Sequence, residues 1–400
     1  MEKKGVMTGI VLATIIAISL FAVLPMAISS EQGNPNPDAD IYVNTTGWWR
    51  PGGAFNESSN PIQDAIFNAS AGDVIFVYNG TYYVSGGLAV DKTLTLKGES
   101  ADNVTLDFMG GRGLRIGVDA DGSFVPAPGS VVEGFRFTNG STGIAVWEKS
   151  PNCIIRDNSF YKCTFYTEAP NTTVEGNTFL NITYSRGIIL SGEKAYNCTF
   201  RDNIVLNAAV KYGAVDIPTN GSTIVNNTII NSTGAAIFAY SRRPSPNGVI
   251  TKNNIISNGK GIWFYRTDPG YKIYLNNFVN NSESAVCNEA TPATIFWNST
   301  EPIEYVWNGT TYTNYLGNYW SDYTGTDADE DGIGDTAYDI PGSTTDKDYH
   351  PLIATFENYP APAVPPTPPT PFLIHGWVNY SNGTAVLNPN VTITNLNTSE

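Results

Sequence analysis

A repeated pattern in the middle of this chain constrains its fold more than any other feature. Between residues 131 and 280, an apolar residue stands three positions before an Asn and another stands two positions after it, as in Ile155, Asn158 and Phe160. The Asn column is Asn158, Asn177, Asn203, Asn227, Asn253 and Asn276. An earlier copy has Phe135 in this column, and successive columns are 23, 19, 26, 24, 26 and 23 residues apart. Periods of about 20 to 50 residues are typical of solenoids.

A second pattern, Gly followed by alternating apolar residues, lies between the Asn columns. Gly143 opens Gly-Ile-Ala-Val-Trp, and Gly261 opens Gly-Ile-Trp-Phe-Tyr. Each repeat therefore holds at least two short strands. The Leu columns of leucine-rich repeats are absent, and the period is too short for a propeller blade of about 40 residues. The sequence predicts an all-β parallel β-helix with one coil per repeat, in which equivalent positions stack about 4.8 Å apart.

The Asn column has a physical explanation in such a fold. An Asn at a turn tolerates left-handed backbone and bonds the turn's own peptide groups. When coils stack, its amide also reaches the Asn of the next coil, which gives a ladder. We therefore interpret the six asparagines as structural.

The segment from residue 61 to 108 is expected to open the solenoid. Pro61 stands at the first turn of a short amphipathic helix with the sequence PIQDAIFNAS, and short strands follow it. A helix over the first coil would cover the sheet edge that every solenoid leaves open.

Residues 1–30 have the composition of an export segment. Lys3 and Lys4 precede an apolar run from Val6 to Ile28, which ends at small residues suited to signal peptidase. A cleaved signal peptide and an uncleaved membrane anchor both stay open, because the run is also long enough to span a bilayer. Either one predicts an extracellular or cell-surface location. The many Asn-x-Ser/Thr triplets agree with a glycoprotein, although an Asn- and Thr-rich chain also produces them by chance.

The charge balance excludes one class of partner. The chain has 22 Lys and Arg against 37 Asp and Glu, a formal net charge of −15. Nucleic-acid binding depends on cationic neutralisation of phosphates, so we expect no nucleic-acid partner.

Three stretches resemble a known family. They are the opening PIQDAIFNASAGDVIFVYNGTYYV, the N-x-I-x-x-N-x-F coils and the ending TYTNYLGNYWSDYTGTDADEDGIGDTAYDI. These look like NosD-type β-helix proteins with repeats of the carbohydrate-binding and sugar-hydrolysing type, and most of all like large cell-surface proteins of methanogenic archaea. The resemblance covers roughly residues 39–352. It implies a right-handed, pectate-lyase-like parallel β-helix, a fold that hosts lyases, hydrolases, adhesins and scaffolds alike.

An acidic loop near the end of the β-helix resembles a calcium site. Oxygen ligands at alternate positions, a Gly for the sharp turn and a carboxylate at the ninth position are what a calcium loop requires. The loop departs from an EF-hand, because Tyr338 occupies the twelfth position. We expect calcium as a cofactor, with a solvated acidic turn as the alternative. The predicted ligands are Asp327, Asp329, Asp331, the Ile333 carbonyl and Asp335.

The name of NosD-type proteins is associated with copper, but we do not expect copper in this chain. Copper favours imidazole, thiolate and thioether ligands. Met109 is the one Met beyond the export segment, and His350 and His375 stand apart on either side of the linker. Four cysteines allow disulfides outside the cell, and buried free thiols stay an equal alternative. They are Cys153, Cys163, Cys198 and Cys287.

Aromatic residues suggest a binding face. If Ile144, Val146, Ile262 and Phe264 point inward, the period of two points their neighbours outward. An exposed aromatic stripe would stack on sugars or a partner protein, although packing under a loop or against a neighbouring subunit explains it equally well. The predicted stripe is Trp147, Phe238, Tyr240, Trp263 and Tyr265.

Charged residues that could carry catalysis form no repeated tight cluster in the sequence. Glycoside hydrolysis would need paired carboxylates, which are not evident. The candidates are Glu168, Arg186, Lys211, Asp216, Arg242, Arg243 and Arg266.

The end of the chain is organised differently. Residues 353–371 form a Pro-rich, semi-rigid linker, and residues 372–400 resemble the opening of a β-sandwich of the carboxypeptidase-regulatory type. About 29 residues cannot bury such a core, so we expect either a longer natural chain or strands borrowed from a partner, and favour the former.

The predicted organisation is therefore an export segment at 1–30, a β-helix at 39–322, an acidic cap at 323–352, a linker and a partial sandwich. The predicted function is a structural or adhesive surface module without catalytic activity. Its expected partner is a cell-envelope glycan or a surface-layer protein, with membrane contact only through the N-terminal segment or a missing C-terminal part. The alternatives are a polysaccharide-active lyase or hydrolase and, less favoured, a copper-handling protein.

Overall fold

The computed structural model describes residues 38–363 and 383–384, apart from 191–193, 218–220, 241–247, 266–269, 289–294, 342 and 344. The export segment, most of the linker and nearly all of the sandwich segment thus lie outside the described residues, as do Arg242, Arg243, Arg266 and the side chain of Tyr240. Tertiary contacts divide the chain into two units, Met1–Pro360 and Ala361–Glu400. Among the described residues, no helix has the length and apolarity needed to cross a membrane.

The first elements close one end of the solenoid. They are β1 (Ile41–Asn44), β2 (Gly47–Trp49), β3 (Asn56–Glu57) and helix α1 (Pro61–Asn68). Strand β1 already belongs to the parallel stack, and β2 and β3 extend the same sheet with antiparallel pairing. The helix buries Ile62, Ala65 and Ile66 against the core, as expected of a cap at an open end.

Nine consecutive coils follow within the described residues, and each contributes one strand to each of three sheets, called A, B and C in chain order. Coil by coil the strands are β4 (Val74–Val77), β5 (Gly80–Tyr83), β6 (Leu88–Val90); β7 (Thr95–Gly98), β8 (Val104–Asp107), β9 (Leu114–Ile116); β10 (Val131–Glu133), β11 (Arg136–Thr138), β12 (Ile144–Val146); β13 (Ile154–Arg156), β14 (Ser159–Tyr161), β15 (Phe165–Thr167); β16 (Thr173–Glu175), β17 (Thr178–Leu180), β18 (Ile188–Leu190); β19 (Thr199–Arg201), β20 (Ile204–Leu206), β21 (Gly213–Asp216); β22 (Thr223–Val225), β23 (Thr228–Ile230), β24 (Ala235–Tyr240); β25 (Val249–Thr251), β26 (Asn254–Ile256), β27 (Lys260–Tyr265); β28 (Lys272–Tyr274), β29 (Asn277–Val279), β30 (Glu283–Asn288).

The strands of each sheet pair in parallel with their equivalents one coil away. Ile155 lies in register between Val132 and Val174, and Phe160 between Phe137 and Phe179. The all-β, parallel β-helix prediction is therefore confirmed, with three strands per coil where two sequence patterns were visible.

The core is a column of apolar side chains between the three sheets. Phe137, Phe160 and Phe179 stack coil on coil, with ring centroids 4.9 and 4.5 Å apart. All three are fully buried. Burial of such a side chain contributes roughly 1.5–3 kcal/mol, so each coil adds its own share of stability.

The six asparagines lie buried at the turn between sheets A and B, joined by hydrogen bonds. The Nδ2 of Asn203 donates to the carbonyl of Val174 at 2.9 Å and to Oδ1 of Asn227 at 3.1 Å. The same Oδ1 accepts the backbone N–H of Asn203 at 3.0 Å. Equivalent bonds link Asn158, Asn177, Asn203, Asn227, Asn253 and Asn276 in order.

The left-handed backbone at this turn belongs to the residue before each ladder Asn. Asp157, Asp202, Asn226 and Lys252 have φ between 55° and 58°, and Gly176 has φ 64°. The ladder asparagines thus fill the turn from inside, while their predecessors reverse the chain. Several sequon asparagines take left-handed backbone at other turns, which gives them a structural role: Asn139, Asn171, Asn181, Asn197, Asn226, Asn231, Asn280 and Asn308.

The second end of the solenoid carries an aromatic cap. Its elements are β31 (Ile303–Trp307), β32 (Thr310–Asn314), β33 (Tyr319–Trp320), β34 (Tyr338–Asp339), β35 (Lys347–Asp348) and the short 3-10 helix Phe356–Asn358. Trp320 stacks on Phe278 of the last coil at 4.3 Å and on Tyr338 at 4.4 Å.

The ladder continues into this cap. Asn318 Oδ1 accepts from the N–H and side-chain amide of Asn276 at 3.2 and 2.9 Å. Asp348 ends the series, since its Oδ2 accepts the backbone N–H of Asn318 at 2.7 Å and the indole N–H of Trp320 at 2.9 Å. Burial raises the pKa of Asp348 to about 7, and these donors counteract part of that rise.

All four thiols are free in the structure. Cys153, Cys163 and Cys198 are buried, and Cys287 is half-buried. Burial raises the pKa values of Cys153, Cys163 and Cys198, as expected of inert thiols packed in a core.

Replacing a ladder residue should destabilise the solenoid. We expect Asn203→Ala to lower the free energy of unfolding by roughly 1–3 kcal/mol, because the Val174 carbonyl and the Asn177 N–H lose their buried partners. Chemical denaturation measures the change. Asn103→Ala, at an exposed turn, is the control. Equal stability of the two variants would contradict a stabilising ladder.

Candidate functional site

The outer face of sheet C carries the candidate functional residues. The inward-pointing residues of sheet C are buried in the core, as the period of two predicts; among them are Ile144, Val146, Ile262 and Phe264. The parallel register aligns one outward residue per coil into a column. From β6 to β30 this column is Ala89, Arg115, Ala145, Tyr166, Ile189, Asp216, Phe238, Trp263 and Val286.

Four aromatic side chains cluster near the C-terminal end of this column. We call them the aromatic patch: Tyr212, Phe238, Trp263 and Tyr265. The ring of Trp263 lies 4.9 Å from Phe238, 6.3 Å from Tyr212 and 6.0 Å from Tyr265. Tyr212 also lies 5.5 Å from Phe238. Tyr212 was missed by sequence reasoning, because it stands in the turn before β21 and not at an alternating strand position.

The prediction of an exposed Phe238 is wrong. Phe238 is only 2% exposed. It points away from the core, but Tyr212 and Trp263 lie against its ring and cover it. Trp263 and Tyr265 are half-buried.

Trp147 does not join the aromatic patch. It lies at the end of β12 and contacts Phe124 at 5.2 Å and Tyr166 at 6.0 Å. The predicted stripe is therefore two separate groups on one face, with Ile189 and Asp216 between them in the column.

Cationic groups surround the aromatic patch. The Arg186 guanidinium lies 5.7 Å and the Lys211 ammonium 5.3 Å from the centre of the Tyr212 ring. The Lys260 ammonium lies 5.8 Å from the centre of Trp263 and also pairs with Glu283. Cations over aromatic faces are held there by the ring quadrupole.

Asp216 is the most perturbed acidic group on this face. Its side chain is fully buried, and neither carboxyl oxygen has a hydrogen-bond partner, although Arg186 Nη1 lies 3.3 Å away. Burial raises the pKa of Asp216 to about 6, and Arg186 lowers it in part. Its column neighbours are Ile189 and Phe238, so the column offers no second carboxylate beside it. Of the other catalytic candidates, Arg186 lies beside Asp216, and Arg186 and Lys211 both lie beside the ring of Tyr212. Glu168 lies two coils away against Tyr166.

The acidic loop brings three of its predicted ligands together. Carboxylate oxygens of Asp327, Asp329 and Asp331 lie within 4.8 Å of one another. Asp335 faces elsewhere, since its Oδ2 accepts the N–H of Ala328 at 2.9 Å. Ile333 is buried, and its N–H donates to Asp331 Oδ1 at 2.8 Å.

Hydrogen bonds hold the acidic loop onto the hairpin of β31 and β32. Tyr305 Oη donates to the Asp331 carbonyl at 2.8 Å, and Tyr312 Oη donates to the Glu330 carbonyl at 3.2 Å. Asn314 Nδ2 donates to Asp331 Oδ2 at 3.1 Å. The loop is thus positioned by aromatic residues of the cap, and Asp329 remains exposed.

Asp216 should make stability depend on pH. The pKa of Asp216 is higher in the folded than in the unfolded chain, so ionisation of the buried carboxyl lowers the free energy of unfolding. This loss of stability is absent below about pH 4 and complete above about pH 6. We expect Asp216→Asn to exceed the wild type in unfolding free energy at pH 7.5, by up to about 3 kcal/mol, and the difference to shrink at pH 4. Denaturation at several pH values tests this, with the exposed Asp102→Asn as control. A constant difference across pH would contradict it.

Several solved structures have a similar fold. The A-module of the mannuronan C-5 epimerase AlgE6 from Azotobacter vinelandii matches with 14% identity and a TM-score of 0.42, over 56% of this chain and 72% of that chain. An alginate lyase from Paenibacillus sp. str. FPU-7 matches with 13% identity and a TM-score of 0.39, over 60% and 95%. The catalytic domain of a GH87 alpha-1,3-glucanase in complex with nigerose matches with 14% identity and a TM-score of 0.37, over 74% and 52%. At such TM-scores these similarities assign no activity to this chain.

No curated protein matches the sequence. Residues 66–325, more than half of the chain, match the family described as periplasmic copper-binding protein (NosD).

The residues that the structure describes do not fit a copper centre. Among the described residues, the only group of three or more close metal-binding side chains is the Asp327, Asp329 and Asp331 cluster. Carboxylates suit calcium or magnesium, whereas copper selects imidazole and sulfur ligands. His350 is half-buried beside the ring of Tyr315, and Met109 is exposed. By its sequence and its parallel β-helix, the chain belongs to the NosD family.

Proposed function

We propose that this chain is an exported, non-catalytic β-helix module that binds a cell-envelope carbohydrate through the outer face of sheet C. The family's description as periplasmic is consistent with export. The observation that supports binding is the aromatic patch, in which Trp263 and Tyr265 remain partly accessible above a buried Phe238.

Aromatic rings suit sugars for a physical reason. The faces of Trp and Tyr rings are electron-rich and apolar, so they stack on the C–H face of a pyranose while hydroxyl groups at the ring edges stay hydrogen-bonded. Trp263 is held in position by Tyr212 and Phe238, which reduces the entropy lost on binding.

The surroundings of the aromatic patch supply polar contacts. Lys211, Lys260 and Arg186 lie around the rings and can donate hydrogen bonds to hydroxyl or carboxylate oxygens. Because equivalent positions repeat about every 4.8 Å along the stack, the face offers a linear polymer contacts over several coils.

A polysaccharide-active enzyme is the second candidate, favoured by Asp216. A buried carboxyl with a raised pKa beside Arg186 is typical of functional sites. Hydrolysis by paired carboxylates lacks a second acid in this column, which is why we favour binding without catalysis. Product release from a glycan panel, lost in Asp216→Asn, would support the enzyme instead.

We further propose that the acidic loop binds calcium. Three carboxylates within 4.8 Å repel one another, and a dication would cancel that repulsion. Oxygen ligands on a loop already held by Tyr305 and Tyr312 would place the ion against the C-terminal cap, where it would stabilise the end of the solenoid.

Removing the half-buried indole of Trp263 should weaken carbohydrate binding. We expect Trp263→Ala to lower the affinity for a bound glycan at least about tenfold, because central aromatic residues typically contribute more than about 1.4 kcal/mol. Titration calorimetry against soluble neutral and acidic polysaccharides measures it. Tyr83→Ala, an exposed aromatic on sheet B, is the matched control. Equal affinities of both variants, or binding of no glycan by the wild type, would contradict the proposal.

Calcium should raise the melting temperature of the wild type at millimolar concentration, the range in which extracellular modules bind it. EDTA should reverse the effect. Asp329→Asn should abolish the response without unfolding the chain, since this side chain is exposed. Asp335→Asn changes the same charge in the same loop outside the cluster and should retain the response. Melting that is insensitive to calcium in all three proteins would leave only a solvated acidic turn.

A further inference from the structure

A groove with a volume of about 440 Å³ lies on the outer face of sheet C, away from the aromatic patch. It forms where Ala145 stands between Arg115 and Tyr166 in the outward column. The small side chain leaves a gap two coils wide, roughly 10 Å between the flanking strands, with the sheet as its floor.

Aromatic rings form the walls of this groove. Trp147 stands two residues beyond Ala145 and lies against the edge of Tyr166 at 6.0 Å. The loop after β9 folds back through a bridge between Val118 and Phe124, which brings Phe124 against Trp147 at 5.2 Å. The apolar C–H face of a pyranose ring suits such walls.

Two unpaired arginines line the same groove. Among the described residues, neither Arg112 nor Arg115 forms an ion pair. Burial and the neighbouring Arg112 lower the pKa of Arg115, so the two cations repel each other without compensation. This is unusual in a chain with a net charge of −15.

None of the nearby carboxylates lines the groove. Glu168 accepts the hydroxyl of Tyr166, and Glu148 pairs with Lys194 at 2.7 Å. Asp119 and Asp121 accept backbone N–H groups within their own loop, and neither lines the groove. The positive charge of the groove is therefore available to a ligand.

Two buried donors in the groove also lack acceptors. Arg115 Nε and Trp147 Nε1 are inaccessible to solvent and have no hydrogen-bond partner. Such unsatisfied donors are rare in folded proteins and call for an explanation, which a bound oxygen-rich ligand provides.

We propose that this groove binds a uronic acid residue of an acidic glycan. The carboxylate would accept from the guanidinium groups of Arg115 and Arg112, a pairing whose planar geometry favours two parallel hydrogen bonds. The sugar ring would stack on Trp147, which lines the groove. An acidic polypeptide would use the arginines but not the facing aromatic walls. The inference deepens the carbohydrate-binding function proposed above and rests on it.

Titration calorimetry with hexasaccharides of galacturonic, mannuronic and guluronic acid tests the proposal. At least one of the three hexasaccharides should bind. Its methyl ester should bind at least about tenfold more weakly, because esterification keeps the sugar ring and removes the charge. Added NaCl should lower the affinity for the acid form. Poly-glutamate serves as the acidic polypeptide and should not compete.

Variants assign the binding to the groove. Arg115→Gln should lower the affinity about 10- to 100-fold, the loss expected for a charge-assisted hydrogen-bonded pair. Trp147→Phe keeps the stacking but removes the donor and should have a smaller effect. Arg136→Gln removes the same charge from the outer face of sheet B and should change nothing. Melting temperatures verify that each variant is folded.

The outcomes separate this inference from the broader function. Equal binding of acid and ester, or equal affinity of Arg115→Gln and wild type, overturns the uronate site and leaves carbohydrate binding intact. Failure of all three acids while neutral glycans bind also overturns it. Poly-glutamate binding that depends on Arg115 would replace the glycan with an acidic polypeptide. Absence of binding to every glycan overturns both proposals.

Discussion

The hydrogen bond from one buried Asn amide to the Asn of the next coil is the interaction on which the rest of the structure depends. Each coil reverses direction between sheets A and B through a residue in left-handed backbone, and the peptide groups of that turn face the core. The backbone N–H of each ladder Asn is satisfied by the Asn side chain of the next coil. Side-chain amides also bond carbonyls within their own turn, as Asn227 Nδ2 does to Val225. The turns are therefore locked in register, and this register aligns the outward residues of sheet C into a continuous column.

The sequence predicted what repeats and missed what does not. The Asn column and its apolar flanks recur every 19 to 26 residues, so the parallel stack could be inferred directly. Asn318 escaped notice because it lies 42 residues after Asn276, beyond an inserted hairpin. A period of two gave the direction of Phe238 correctly, but it could not show that Tyr212 of the preceding coil covers the ring. The groove at Arg115 likewise depends on Ala145, whose small size has meaning only beside its neighbours in the next coils.

The outer faces of sheets A and C differ in how completely their charges are paired. On sheet A, Glu133 pairs with Lys97 and Arg156 on the two neighbouring coils, and Glu175 pairs with Arg201. Alternating signs along that column neutralise each other and leave little for a ligand. On sheet C, Asp216 is buried beside Arg186 without a hydrogen bond to either oxygen, and among the described residues Arg112 and Arg115 form no ion pair. The two arginines are therefore the charge on this face that the described part of the chain leaves uncompensated.

Asp348 has a consequence for how such proteins can change in size. It closes the ladder by accepting the N–H groups of Asn318 and Trp320, and nothing in those contacts depends on how many coils precede them. If a whole coil were gained or lost between two ladder asparagines, the last turn would still meet Asp348 in the same way. The copy number of coils can therefore vary in evolution while both ends stay unchanged, so that the length of the outer face of sheet C is adjustable in steps of about 4.8 Å.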